Sequence, residues 1–262
     1  MSMIRDDWQF TDKDSAFFSE NGYHTYGQFL TDETLASCRE ELDAMLDRLQ
    51  PGRDPADIIC PHFFDQWIWD LAIEPKVLDM IEQQIGPNIV FWSSHMLCKQ
   101  PGSGIVVPWH QDAPYWNVGG PLPCGLWIAF DDMDEDNGAM AVLPGWHKKG
   151  RLPIDNRDDQ MFNEMISPDA LPDNVEDNKV QYRIPAGGMA IHDTMIPHRS
   201  VPNSSDRWRR VLVLRYMRAD GDMGEKMYED YRTGDPVARR YFLVRGEDVL
   251  NRGLERSPFE MV

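Results

Sequence analysis

The sequence predicts a mainly β fold with flanking helices, and three observations support this prediction. From about residue 88, short apolar or alternating runs are separated by Pro, Gly, Asn and Asp, as in a β-sandwich or barrel. Before that point the chain shows helical spacing and capping patterns instead. The 262 residues are 42% hydrophobic, enough for one large β domain to bury its core. We therefore predict a single domain over 1–262, with a mostly helical part at 1–86, a β core at 87–220 and a C-terminal extension at 221–262.

The first predicted helix and strand follow from their end signals. Thr11 and Asp14 form a capping-box pattern that opens a helix over 12–21. Gly22 is placed to end this helix, because glycine readily takes the left-handed conformation found after a helix C-terminus. The alternation in 23–30 then predicts a short strand.

Two further helices are predicted before the β region. Thr31 or Asp32 can cap the first of them, whose apolar residues fall on one face at steps of three and four. These residues are Leu35, Cys38, Leu42, Met45, Leu46 and Leu49. The second helix is predicted over 75–85, with proline in its first turn and Gly86 after its end.

The β core is predicted from short runs bounded by turn residues. The runs are 88–99, 105–111, 124–133, 139–145, 180–187, 188–193 and 209–218. The polar, acidic stretch 150–179 is predicted to be an insertion between strands, either a binding lid or a tolerated surface excursion. The segment 221–262 mixes helix-like and loop-like pieces.

Charge and composition exclude some classes of function. The formal net charge of −18 argues against nucleic acid and anionic membrane surfaces as partners, because both would repel the chain. No apolar run approaches the about 18 residues of a membrane span, and the first residues lack a secretory signal pattern. The four cysteines have irregular spacing, which favours free thiols over a zinc cluster or a redox dithiol. We predict a cytoplasmic protein that acts on a small molecule, and its oligomeric state is left open.

Three residues from two parts of the chain are candidate metal ligands. His110 and Asp112, in VPWHQDAPYW, lie two residues apart and would share one face of a regular strand. This pair alone is a weak signal, because a structural histidine is the commoner explanation. His198 on a later strand would complete a 2-His-1-carboxylate triad, the arrangement that leaves open positions on Fe(II) in non-haem oxygenases.

Arg209 is the candidate for binding a carboxylate near this metal. It lies eleven residues after His198, at the start of an apolar alternating strand. A guanidinium can donate two parallel hydrogen bonds to a carboxylate. Because Arg207 and Arg210 are close neighbours in sequence, either of them could serve instead.

These motifs resemble the phytanoyl-CoA dioxygenase family. The resemblance is carried by WHQD, by NGAMAVLPGWHKKG at 137–150, by HRSVPNSS at 198–205 and by the arginine at plus eleven, and it extends from about Asp12 to Arg218. It implies a double-stranded β-helix, a cupin-like jelly roll, with Fe(II), 2-oxoglutarate and O2 as cofactor and cosubstrates. It also implies that His110, Asp112 and His198 bind iron and that Arg209 binds 2-oxoglutarate. Further cosubstrate contacts implied by matching positions are Met96, Gln111, Trp127 and Ser200, where Trp127 could be one position out of register.

Aromatic residues around the H-x-D motif are candidates for substrate contact. Trp116 and Tyr115 follow the motif at once, and Trp109 precedes His110. Core packing is the alternative for many of the nine tryptophans. His192, on the strand before His198, could face either the pocket or the outside.

The predicted function is that of an Fe(II)- and 2-oxoglutarate-dependent dioxygenase that hydroxylates an unactivated C–H bond of a small metabolite. Enzymes with the same cofactors can also desaturate, epimerise or close rings, so these outcomes stay open. A non-catalytic jelly-roll binding protein is the alternative outside the enzymes. A cupin-type metal isomerase is disfavoured because cupins usually have more histidine ligands and lack the distal arginine.

Overall fold

The computed structural model describes residues 2–116, 118, 125–156 and 164–259. Its helices are α1 (Asp12–Asn21), α2 (Asp32–Asp47), α3 (Gln66–Ala72), α4 (Pro75–Ile85) and α5 (Val175–Asn178). The capping box of α1 is formed as predicted: the Thr11 backbone N–H donates to an Asp14 carboxylate oxygen at 2.8 Å, and the Thr11 hydroxyl accepts from the Asp14 N–H at 3.4 Å. Gly22 ends the helix with φ of 77°, in the left-handed region. The predicted helices at 12–21 and 75–85 are confirmed, whereas α3 was missed because it is short.

The strands lie mainly after residue 88, as predicted. They are β1 (Tyr23–Tyr26), β2 (Ile58–Ile59), β3 (Ile89–Lys99), β4 (Val107–His110), β5 (Gly125–Ala129), β6 (Met140–Val142), β7 (Ile154–Asn156), β8 (Glu164–Ile166), β9 (Val180–Gln181), β10 (Met189–His192), β11 (His198–Ser200), β12 (Arg209–Arg218), β13 (Met227–Glu229), β14 (Pro236–Ala238) and β15 (Phe242–Arg245). The short strands β2, β7, β8, β13, β14 and β15 were not predicted, whereas β11 is the later strand on which His198 was expected.

Two antiparallel sheets form the jelly roll. The larger sheet has the strand order β1-β10-β5-β12-β3-β15, with β2 also paired to β3. The smaller sheet has the order β4-β11-β6-β9. Neighbours in each sheet are distant in sequence, as expected when strands cross between the two sheets of a jelly roll. This confirms the predicted fold class.

The larger sheet is buried on both faces, and its side-chain alternation separates two cores. Trp127, Val211 and Val213 pack toward the smaller sheet, where they meet Met140 and Val142. The alternate residues pack on the opposite face against the helices, and they include Leu126, Ile128, Leu212 and Leu214 of the sheet with Leu42, Met45, Val77 and Ile81 of the helices. Burying one such aliphatic side chain contributes about 1.5–3 kcal/mol relative to exposure, so the helical layer holds the site-bearing strands rigidly.

The segment 150–179 carries structure of its own. It contains the antiparallel hairpin of β7 and β8, followed by a 3-10 turn at Pro168–Ala170 and by α5. Residues 157–163 of this insertion lie outside the described part of the chain. The hairpin contacts β4, which brings the insertion close to the strand that carries His110.

The prediction of helix-like pieces in 221–262 is wrong for the described residues of that segment. It forms β13, β14 and β15 instead, and β15 pairs with β3 at the edge of the larger sheet. Because β3 and β15 are far apart in sequence, local sequence patterns do not reveal that they pair. The three described cysteines, Cys38, Cys60 and Cys98, are buried free thiols. Among the described helices, none combines the length and the apolar character that crossing a bilayer requires.

Candidate functional site

The three predicted metal ligands converge at one end of the jelly roll. His110 ends β4 and is the cross-strand partner of His198 in β11. Asp112 follows β4 in helical conformation, so the strand stops before it and the chain turns its carboxylate back toward both rings. One ligand atom from each residue lies within 4.8 Å of the other two. Asp112 Oδ1 is 3.5 Å from His110 Nε2 and 3.7 Å from His198 Nε2.

Backbone carbonyls fix which imidazole nitrogen faces this centre. His110 Nδ1 lies 2.9 Å from the Pro108 carbonyl, and His198 Nδ1 lies 3.0 Å from the Ile196 carbonyl. A carbonyl only accepts, so each Nδ1 must carry the proton and each Nε2 must present a lone pair. Burial holds the pKa of His198 well below its usual value, which keeps that ring neutral. The two imidazole nitrogens and the carboxylate therefore fit a divalent transition metal. This conclusion comes from the geometry of the three side chains and does not depend on the resemblance to a family.

Asp112 is held ionised although it is buried. Burial by itself raises the pKa of this carboxyl group, but the nearby nitrogens of His110 and His192 outweigh it and hold the pKa well below its usual range. Its second oxygen, Oδ2, lies 3.8 Å from His192 Nε2 and 3.9 Å from Arg215 Nη2. One oxygen thus faces the two histidines while the other is oriented by His192 and Arg215.

A cleft of about 690 Å³, the inner chamber, runs from these ligands between the two sheets. Lys99, Arg209, Ser200 and Trp127 line it together with His110, Asp112 and His198. Lys99 and Arg209 are cross-strand partners on β3 and β12, so their side chains share one face. Lys99 Nζ donates to the Ser200 hydroxyl at 2.8 Å and to the Val201 carbonyl at 2.6 Å.

Two buried basic side chains therefore lie side by side in the inner chamber. Burial and then the charge of Arg209 lower the pKa of Lys99 to about 6, and burial lowers the pKa of Arg209 to about 10. Within the described part of the chain, neither cation has a carboxylate at ion-pair distance, and Arg209 Nε is buried without a hydrogen-bond partner. A carboxylate would supply the missing charge and the missing hydrogen-bond acceptors at this end of the chamber.

The neighbouring arginines are already engaged. Arg210 Nη2 and Nε donate to the carboxylate of Asp131 at 2.8 and 2.9 Å. Arg207 is exposed and donates to Asp134 at 2.7 Å. Of the three arginines considered from the sequence, only Arg209 lines the inner chamber.

A second cleft, the outer chamber, opens on the other side of the ligands with about 870 Å³. It shares His95, His110, Asp112 and Arg215 with the inner chamber. Its own walls include Trp92, Trp116 and Tyr228, and Lys226 and Arg239 also line it. The inner chamber therefore has an end lined by Lys99 and Arg209, whereas the outer chamber has aromatic walls.

The structure brings together only part of the predicted set. Ser200 and Trp127 line the inner chamber, and Trp116 lines the outer one. His192 lines the inner chamber and lies against Asp112. It is therefore placed to orient the Asp112 carboxylate and does not line the outer chamber. The side chain of Tyr115 lies outside the described part of the chain.

Three predicted contacts are not at the site. Met96 points into the core beneath the helices, because its neighbours Leu97 and His95 occupy the face toward the chamber. Gln111 is absent from the chamber lining and holds two other loops instead, donating to the carbonyls of Gly150 and Met195 at 2.9 and 2.7 Å. Trp109 packs in a separate cluster with Leu143 and Ile166. All three lie one residue away from a side chain that does face the chamber.

Sequence reasoning missed several residues that line the two chambers. They are His95, Lys99, Arg215, Lys226 and Arg239. For Lys99 a signal existed, since His95, Leu97 and Lys99 alternate along β3 and Arg209 pairs with Lys99 once the register is known. Lys226 and Arg239 come from the C-terminal segment, whose position no local pattern gives. His95 is buried, and burial followed by the charge of Arg215 lowers its pKa to about 3, so it is a neutral polar group at the junction of the chambers.

The family model described as phytanoyl-CoA dioxygenase matches residues 18–211 of the chain. A probable alpha-ketoglutarate-dependent hypophosphite dioxygenase of Stutzerimonas stutzeri is 31% identical over 176 residues, which are 66% of this chain and 61% of that protein. A methylphosphonate hydroxylase of Gimesia maris is 24% identical over 85% of this chain and 86% of its own length. An L-proline trans-4-hydroxylase of Streptomyces griseoviridis is 27% identical over 60% of this chain and 65% of that enzyme.

Solved structures share the fold. The non-heme monooxygenase ThoJ, in its apo form, superposes with a TM-score of 0.72 at 24% identity, covering 93% of this chain and 87% of that one. EvdO2 from Micromonospora carbonacea var. aurantiaca, complexed with 2-oxoglutarate, gives a TM-score of 0.63 at 24% identity, covering 83% of this chain and 94% of that one. At these identities the likeness establishes the jelly roll and not the reaction.

Proposed function

Because the chain belongs to the phytanoyl-CoA dioxygenase family of Fe(II)- and 2-oxoglutarate-dependent enzymes, we propose that it hydroxylates an unactivated C–H bond of a small metabolite. The observation that carries this proposal is the convergence of His110, Asp112 and His198 at the head of a chamber whose far end holds Arg209. Two imidazoles and one carboxylate fit Fe(II) and leave positions open for a chelating cosubstrate and O2. A binding protein would need neither the ligands nor the buried arginine.

Each residue has a distinct task in this proposal. The Nε2 atoms of His110 and His198 and Oδ1 of Asp112 hold the metal, while His192 and Arg215 keep the carboxylate in position. When bound, iron and 2-oxoglutarate supply activated oxygen, with succinate and CO2 released. The protein supplies position and exclusion of water. The apolar sheets around the inner chamber serve that exclusion.

The distal carboxylate of 2-oxoglutarate is assigned to Arg209, with Ser200 and Lys99 beside it. Arg209 has unused donors, and Lys99 already orients the Ser200 hydroxyl at 2.8 Å. Trp127 lies next to this end, with its ring 5.9 Å from the guanidinium carbon. The carboxylate would thus enter a preformed cationic end, which reduces the cost of ordering the site on binding.

Lys99 makes the binding of 2-oxoglutarate dependent on proton uptake. The pKa of Lys99 near 6 in the free protein means that most Lys99 is neutral at pH 8. An incoming carboxylate favours the ammonium form and raises that pKa, so the complex takes up a proton. We expect an uptake of between about half a proton and one proton per cosubstrate at pH 8, measured by calorimetric titration of the Ni(II)-loaded protein in buffers of different ionisation enthalpy.

The matched variant for this prediction is Lys99→Met, which should lose most of the uptake. Lys13→Met, on the exposed face of α1, should keep it. Equal uptake in the wild type and in Lys99→Met would assign the proton to another group and contradict the prediction.

The function is tested by succinate formation in the presence of Fe(II), 2-oxoglutarate and O2. Slow turnover without a substrate and faster turnover with a suitable small molecule are expected, and product mass distinguishes hydroxylation from desaturation, epimerisation or ring closure. The relatives named for hypophosphite, methylphosphonate and L-proline make compact polar molecules the first substrates to assay. Absence of both metal binding and succinate formation would favour the non-catalytic binding protein.

A further inference from the structure

We infer that the outer chamber binds an oxyanion of the substrate, a carboxylate, phosphonate or sulfonate, through Arg215, Lys226 and Arg239. This inference rests on the proposed function, because it makes the outer chamber the place where the substrate meets the metal. The three cations come from β12 and from the segment 221–262, and they line one wall of the same cleft. The substrate would therefore be a small anion with an apolar body.

Two of the three cations, Lys226 and Arg239, have no acidic partner among the described residues, and Arg215 has only the more distant Asp112 carboxylate. Arg215 has a buried Nε without a hydrogen-bond partner among the described residues, and its nearest carboxylate oxygen, Asp112 Oδ2, is 3.9 Å away. That carboxylate belongs to the proposed metal site. The described residues give Lys226 and Arg239 no ion pair at all, and Asp57, the other acid that lines the chamber, lies 3.6 Å from Arg53.

Arg239 is committed to neutral partners only. It is 8% exposed, and it donates to the Trp116 carbonyl at 2.8 Å and to the Tyr228 hydroxyl at 2.9 Å. These contacts hold the guanidinium in place without neutralising it. A buried charge that lacks a counter-ion is costly, so a structural role alone does not account for it.

Aromatic rings cover the flanks of these cations. The guanidinium carbon of Arg215 is 5.0 Å from the centre of the Trp116 ring, and that of Arg239 is 4.9 Å from the Trp92 ring. Rings at this distance fix the direction of the guanidinium and exclude water from it. Hydrogen bonds from partly dehydrated cations to an oxyanion are stronger than those in open solvent.

The local charge is opposite to that of the whole chain. The net charge of −18 repels small anions at long range, so an anion must be recognised by contacts inside the chamber. This contrast favours a dedicated anion site over a generally basic surface.

The test uses propylphosphonate and butyrate as probes, with dimethyl propylphosphonate as the neutral counterpart. Each is titrated calorimetrically into the protein loaded with Ni(II) and 2-oxoglutarate, and then into the metal-free protein. We expect at least one oxyanion to bind and the neutral ester not to bind. Arg215→Gln should weaken the anion about tenfold or more, as expected for loss of a charge-assisted hydrogen bond. Lys226→Met, at a more exposed position, should weaken it about threefold.

Two controls locate the bound anion. Lys13→Met removes an exposed lysine outside the chamber and should bind the anion as the wild type does. Arg209→Met should weaken 2-oxoglutarate but not the probe, which separates the outer chamber from the inner one. If Arg215→Gln fails to fold, Lys226→Met still tests the outer chamber. Melting curves of both variants show whether each one is folded.

Three results would overturn the inference: no binding of either oxyanion, equal binding of the neutral ester, or wild-type affinity in both chamber variants. Failure of the proposed function has a different signature, because 2-oxoglutarate would then not bind to the Ni(II)-loaded protein. In that case the metal-free titration is repeated with Arg209→Met and with Arg215→Gln, because only binding that Arg215→Gln weakens and Arg209→Met leaves unchanged belongs to the outer chamber.

Discussion

His198→Ala is expected to abolish succinate formation and to remove tight binding of one Fe(II) per chain. The substitution deletes a neutral imidazole whose Nε2 lies 3.7 Å from Asp112 Oδ1 and whose Nδ1 is fixed by a backbone carbonyl. Two remaining ligands cannot hold the metal with the facial geometry that keeps three positions open. Metal binding is measured by titration under anaerobic conditions, and turnover by the release of succinate.

The fold of this variant should remain intact. His198 is buried and carries no structural ion pair beyond the metal site, so the loss is confined to a small cavity of modest cost. His147→Ala is the matched control, because His147 lies outside the site, with its Nε2 3.1 Å from the Ser19 carbonyl. Full activity in His198→Ala, or equal loss in both variants, would refute the assignment of the metal ligands.

Part of the candidate metal site was predictable, because the spacing of His110 and Asp112 is a local signal. The two residues do not share one face of a strand as predicted: β4 stops at His110, and Asp112 reaches the centre because its helical backbone turns the carboxylate back. Strand alternation accounts for the other errors. A shift of one residue along a strand moves a side chain to the opposite face, so Met96 falls in the helix-facing core and Leu97 and Lys99 line the chamber.

The walls of the outer chamber could not be derived in this way. Arg239 and Lys226 reach the chamber because β15 pairs with β3 and the ribbon of β13 and β14 packs nearby, and such long-range pairings leave no periodic signal. Arg215 lies on a strand that was predicted, but its role depends on the position of Asp112 across the barrel. Tertiary packing therefore decides the substrate side of the site, while the metal side can be predicted from sequence.

Arg209→Met is expected to raise the Michaelis constant for 2-oxoglutarate by about tenfold or more, because a charge-assisted pair worth roughly 1.5–3 kcal/mol is lost. The turnover number should fall much less, since the proposed contact of Arg209 with the cosubstrate lies away from the reacting atoms. Arg207→Met is the matched control, as Arg207 is exposed and paired with Asp134. If Arg207→Met or Arg210→Met raised the constant and Arg209→Met did not, the inner chamber would be wrongly assigned.

The increase in the Michaelis constant caused by Arg209→Met should also depend on pH, and the protonation of Lys99 determines whether it grows or shrinks as the pH rises. Lys99 is mostly neutral above pH 6, through burial first and the charge of Arg209 second, so the wild type must protonate it to bind the cosubstrate. Removing Arg209 raises the pKa of Lys99, and the variant then binds with Lys99 already charged. The ratio of Michaelis constants, variant to wild type, should therefore decrease as the pH rises from 6 to 8. Two results together would show that Lys99 and Arg209 do not bind the same carboxylate of 2-oxoglutarate. The ratio would stay constant with pH, and it would not change when Lys99→Met is added to both the wild type and the Arg209→Met variant.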